Sequence, residues 1–122
     1  MSRYEYLDKF LLGIIGEASS RSLKNTAMIA KDDKGTIYDV AKIDFMKWAV
    51  FVYLQEHDTG RTEYIKTIQD VLETIFKNCP DCCCTIDEAT VYIKDEEGDE
   101  YKITDISATE VSGVLTVFIS RL

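Results

Sequence analysis

Three strand-like segments near the C-terminal end constrain the fold of this chain more than any other feature. In 88–94, Ala89, Val91 and Ile93 alternate with Thr90, Tyr92 and Lys94. Asp95-Glu96-Glu97-Gly98 then supplies a tight turn, and 99–106 resumes with Tyr101 and Ile103 on one face. A connection over 107–113 leads to Val114-Leu115-Thr116-Val117-Phe118-Ile119-Ser120, a near-continuous apolar run that fits a central strand. Successive side chains of a strand point to opposite faces, so these segments predict a three-stranded antiparallel meander.

The remainder reads as a mixture of helix and hairpin. Leu7, Phe10, Leu11, Ile14 and Ile15 recur at helical spacing, which predicts a first helix over 3–17 ended by Gly16. Segments 26–31 and 36–42 flank Lys31-Asp32-Asp33-Lys34-Gly35 and read as a hairpin. Asp44 is a suitable N-cap for a second helix from Phe45 to about Glu56. That helix would be apolar on nearly every side, as helices central in a fold or covered by a second subunit are; it has more apolar faces than a monomer of this size easily covers, so a homodimer is expected. A buried strand is the competing reading for Val50 to Leu54. A third helix is expected over 62–77, where Ile65, Ile68, Val71, Leu72, Ile75 and Phe76 repeat at three and four residues. The expected fold is therefore α+β: one N-terminal helix, a β-hairpin, two consecutive helices, then the meander. The helices would pack on an antiparallel sheet in a single domain spanning 1–122, a size that supports one core.

One internal likeness links the two turns. Lys31-Asp32-Asp33-Lys34-Gly35-Thr36-Ile37-Tyr38-Asp39-Val40 parallels Lys94-Asp95-Glu96-Glu97-Gly98-Asp99-Glu100-Tyr101-Lys102-Ile103. Turn chemistry of this kind is common, so two hairpins meeting the same need is the first explanation. Duplication of a β-unit is the alternative.

Charge narrows the function. The net charge is -8. Residues 1–86 carry 13 acids and 11 bases, a net of -2; residues 87–122 carry 9 acids and 3 bases, a net of -6. A nucleic-acid binder needs a basic stripe, and docking on an anionic membrane needs basic residues too, so both are disfavoured. The apolar run Phe10 to Gly16 lies among Glu5, Asp8 and Glu17, which does not fit a secretory leader.

All four cysteines fall within Cys79-Pro80-Asp81-Cys82-Cys83-Cys84. Cys79 and Cys82 are spaced as half of a zinc site or a redox pair, with Cys83 and Cys84 as further candidate ligands. A second half-site is missing from the sequence, and His57 is the one histidine. Reduced structural thiols in a reducing, cytoplasmic setting are the expectation. His57, flanked by Glu56 and Asp58, reads as a favourable partner for the C-terminal dipole of the second helix. The acidic turns lack the alternating ligands and distant glutamate of an EF-hand loop. Gly13 and Gly16 do not follow a strand and do not make a dinucleotide site.

No catalytic set emerges, and an enzyme is not expected. The leading expectation is a non-catalytic, acidic protein-interaction module, with Asp95, Glu96, Glu97, Asp99, Glu100, Tyr92 and Tyr101 as partner-binding residues. Such a domain can present carboxylates where phosphates would sit. It would then act as an inhibitor, of the phage anti-defence or immunity type, on the basic surface of a nucleic-acid-handling enzyme or toxin. The alternatives are a small zinc-binding or redox-responsive protein built on Cys79, Cys82, Cys83 and Cys84, and a small-molecule-binding protein.

Overall fold

The computed structural model describes residues 6–18, 24–46, 49–57, 65–78, 89–108 and 114–122. Its elements run α1 (Leu7–Glu17), β1 (Ala27–Lys31), β2 (Ile37–Met46), β3 (Ala49–Glu56), α2 (Ile68–Asn78), β4 (Thr90–Lys94), β5 (Glu100–Ala108) and β6 (Val114–Arg121). The six strands close into a barrel in sequence order. β1–β2, β2–β3, β4–β5 and β5–β6 are antiparallel. Two parallel seams, β3–β4 and β6–β1, complete the circuit. Closure removes every sheet edge.

This architecture corrects the expectation of helices on an open antiparallel sheet. The decisive change is 45–56, expected as a second helix. Asp44, expected as its N-cap, sits inside β2 opposite Phe51 of β3. β3 buries Val50, Val52 and Leu54 inside the barrel, while Ala49, Phe51 and Tyr53 are half-buried on the outer face. Large outer residues hid the period of two, and the β-branched and aromatic content favoured a strand all along. With 49–56 a strand of the barrel wall, the all-round apolar helix that called for a second subunit does not form. The three C-terminal strands and the first hairpin form where expected, but as parts of one closed wall.

The helices start later than their periodicity suggested. Ile65 bridges Val40, and Thr67 bridges Ala27, so 65–67 belongs to the strand network. Thr67 then caps α2, its Oγ1 accepting from the Asp70 amide at 3.1 Å. In α1, Leu7, Phe10, Leu11 and Ile14 are buried, whereas Ile15, expected in the core stripe, is 47% exposed. Each fully buried side chain of this size stabilises the fold by roughly 1.5–3 kcal/mol.

The two halves repeat one α-β-β-β unit. Tyr38 and Tyr101, Gly35 and Gly98, and Asp32 and Asp95 each lie 63 positions apart. β2 bulges at Ala41, between Val40 and Lys42; β5 bulges at Thr104, between Ile103 and Asp105, again 63 positions on. The Leu7 amide donates to the Ala89 carbonyl before β4, and the Ile68 amide to the Thr26 carbonyl before β1. Each helix is thus fastened to the other half: α1 packs on β4 and β5, α2 on β1 and β2. The likeness of the two turns therefore extends through every element, well beyond what two similar hairpins require.

Candidate functional site

The β1–β2 and β4–β5 turns lie at one end of the barrel, beside the ends of β3 and β6. Both are built alike. Asp32 Oδ1 accepts from the Lys34 and Thr36 amides at 3.0 and 2.9 Å. Asp95 Oδ1 accepts from the Glu97 and Asp99 amides at 2.9 and 3.0 Å. Gly35 and Gly98 close the turns at φ of 87° and 86°, a region that side-chain-bearing residues rarely adopt. Beneath the turns, Tyr38 and Tyr101 are buried with ring centroids 6.1 Å apart. The Tyr101 hydroxyl donates to Asp95 Oδ2 at 2.8 Å, and the Tyr38 hydroxyl to Asp32 Oδ2 at a longer 3.4 Å.

These contacts sort the expected partner-binding residues. Glu96, Glu97 and Glu100 are exposed, and Tyr92 is 40% exposed. Asp95 is half-buried and holds the turn together. Asp99 is half-buried and accepts from Arg121 at 2.9 Å. Tyr101 is only 5% exposed, so it anchors the turn from below and offers no surface. Carboxylate oxygens of Asp95, Glu97 and Asp99 come within 4.8 Å of one another. The Arg121 guanidinium already supplies positive charge there, and two backbone amides and a tyrosine hydroxyl engage Asp95, as the tight-turn reading anticipates. Tyr101, and after it Asp99, raise the Arg121 pKa further above its ordinary range. A cleft of about 240 Å³ opens between Glu56, Glu96, Glu97 and Arg121, with Tyr38 in its wall.

His57 follows a strand, so the helix-dipole role expected for it does not apply. Its Nδ1 lies 2.9 and 3.0 Å from the two oxygens of Asp39, whose side chain is 5% exposed. This pairing offsets the cost of placing a carboxylate out of water. Sequence reasoning missed Asp39 because the spacing from Asp39 to His57 carries no local signal. Cys79, Cys82, Cys83 and Cys84 lie outside the described residues.

Sequence reasoning also missed an aromatic stripe on the outer face of the β3–β4 seam. Phe51 stacks on Tyr92 at 5.2 Å and on Tyr53 at 6.3 Å. Lys42 Nζ lies 4.7 Å from the Tyr53 ring centre, and Lys94 Nζ 5.3 Å from that of Phe51. Tyr92 was already among the expected partner-binding residues; its meeting with Phe51 depends on a parallel pairing that no local pattern announces.

Tyr38 makes a pH prediction. Burial, followed by the neighbouring Tyr101 hydroxyl and Asp32, holds its hydroxyl protonated well above the ordinary value of 10.0. Above that pH an unfolded chain releases the tyrosine proton while the folded one keeps it. Stability should therefore fall as pH rises. Denaturant midpoints measured from about pH 9 to pH 11 should drop more steeply for the wild type than for Tyr38→Phe.

Compared with models of known protein families, with curated proteins and with solved structures, the chain matches none. Among the described residues, no helix is long and apolar enough to cross a membrane.

Proposed function

We propose that this chain is a non-catalytic interaction module that docks the basic surface of a partner protein on its β4–β5 turn. The finer form of the proposal is an inhibitor that occupies the basic surface of a nucleic-acid-handling enzyme or a toxin. What carries the reading is the turn geometry. Asp95 binds two amides and a tyrosine hydroxyl, so Glu96 and Glu97 project from a backbone that needs no ordering when a partner arrives. The surrounding charge agrees, with a net of -6 over residues 87–122.

The test is a pull-down from the native host at low and high salt, comparing the wild type with Glu96→Gln/Glu97→Gln. Two rim charges at ~0.7 kcal/mol each predict about tenfold weaker retention at low salt. The wild-type complex should weaken steeply with salt and the variant less so. Retention of the same partner by both proteins at both salts would remove the proposal.

A further inference from the structure

We propose that the aromatic stripe on the β3–β4 seam is a receptor for arginine side chains of a cationic peptide segment. This rests on the reading of the protein as a module for basic partners, and it identifies which cation is preferred and where it sits.

The internal repeat provides the control. Strand register places Phe51 and Tyr53 of β3 where Thr116 and Phe118 stand in β6. Tyr92 of β4 corresponds to Ile29 of β1, and Lys42 of β2 to Asp105 of β5. The β6–β1 seam thus closes the same barrel with Thr116 and Ile29 in place of a stacked aromatic pair. A ring at the Tyr53 position and a lysine at the Lys94 position recur in that seam as Phe118 and Lys31, but the stacked pair Phe51–Tyr92 and the cation at Lys42 do not, so the fold does not require these three and they need another reason.

Chemistry names the occupant. Both lysines rest over ring faces, which shows that the local field favours a cation there. Neither is held strongly. Lys42 pairs with Asp44 at 3.4 Å with both side chains open to solvent, and the half-buried Lys94 pairs with the exposed Glu100 at a long 3.6 Å. An incoming guanidinium can displace an ammonium from the ring, stack flat where the ammonium made only a point contact, and pair side-on with Asp44 or Glu100. A groove of about 770 Å³, lined by Tyr53, Lys94, Glu96 and Gly98, joins the stripe to the acidic turn. One extended cationic segment can therefore engage both.

The experiment measures binding of labelled hexa-arginine, hexalysine, hexaglutamate and oligothymidylate to the full chain at low salt. Hexa-arginine should bind tightest. The variant Phe51→Thr/Tyr53→Phe/Tyr92→Ile copies the β6–β1 seam and should fold with an unchanged circular dichroism spectrum. It should lose about tenfold in hexa-arginine affinity and most of the preference for arginine over lysine. Tyr92→Ile alone, at an exposed position, should show a smaller loss in the same direction and serves if the triple variant does not fold. Glu96→Gln/Glu97→Gln should weaken both cationic peptides alike and leave the preference intact.

An arginine preference that survives in the aromatic variants overturns this inference while leaving the acidic-turn reading in place. Tighter binding of hexaglutamate or oligothymidylate overturns it in favour of an anionic ligand. Failure of both cationic peptides to bind the wild type overturns both readings.

Discussion

Val52→Lys is expected to unfold the protein, while Tyr53→Lys, one residue on, is expected to leave it folded. Val52 is 2% exposed and points into the barrel, with Val50 and Leu54 on the same side. An ammonium there has no water and no carboxylate supplied by the strand's inner row. The cost of burying it is several kcal/mol, comparable with the whole stability of a domain this size. Tyr53 is on the outer face, where Lys42 already sits over its ring. Its replacement forfeits the contact with Phe51 and a little packing, about 1 kcal/mol. Circular dichroism and thermal unfolding of the two variants measure the contrast. In a helix buried on nearly every side, both changes would be severe. Equal damage from the two would argue against the strand.

Asp95→Ala is expected to cost about 3 kcal/mol, and Asp32→Ala distinctly less. Both carboxylates accept two backbone amides across a turn closed by glycine. They differ in the third contact. Tyr101 donates to Asp95 at 2.8 Å, whereas Tyr38 reaches Asp32 only at 3.4 Å. Removing Asp95 therefore takes away the carboxylate acceptor of the Tyr101 hydroxyl, leaving it only Tyr38 and Arg121 as neighbours, and it also releases a turn that Arg121 braces from β6 through Asp99. Denaturant unfolding of the two variants gives the difference. A double-mutant cycle with Tyr101→Phe should return an interaction energy of about 1–2 kcal/mol. Equal losses at Asp32 and Asp95 would mean that the hydroxyl contacts are unimportant and that the amides account for the whole effect.

How much of this was legible beforehand follows the range of each interaction. The tight turns were readable, because Asp, Gly and the following Tyr act within seven residues of one another. The strands β4 and β5 were readable from alternation, β6 from its near-continuous apolar run, and α2 from its apolar repeat, although residues 65–67 were taken into the strand network by Val40 and Ala27. The segment 45–56 was misread because Phe51 and Tyr53 filled its outer positions with apolar groups. That substitution, the source of the error, is also the candidate arginine receptor. Of the expected partner residues, Glu96, Glu97, Glu100 and Tyr92 are presented outward, and Tyr101 is not. Sequence placed Tyr101 correctly on the face with Ile103. It could not say that this face was the interior of a closed wall.

The amino-acid order alone settled the acidic balance, the paired turn motif and most strand segments, since these follow from composition and from contacts between near neighbours. Tertiary structure alone decided that the strands close, that 45–46 and 49–56 are wall rather than helix, and that Phe51 meets Tyr92. The physical reason is the pair of parallel seams. They join residues some forty or ninety positions apart, and pairing at that distance leaves no mark in the local pattern.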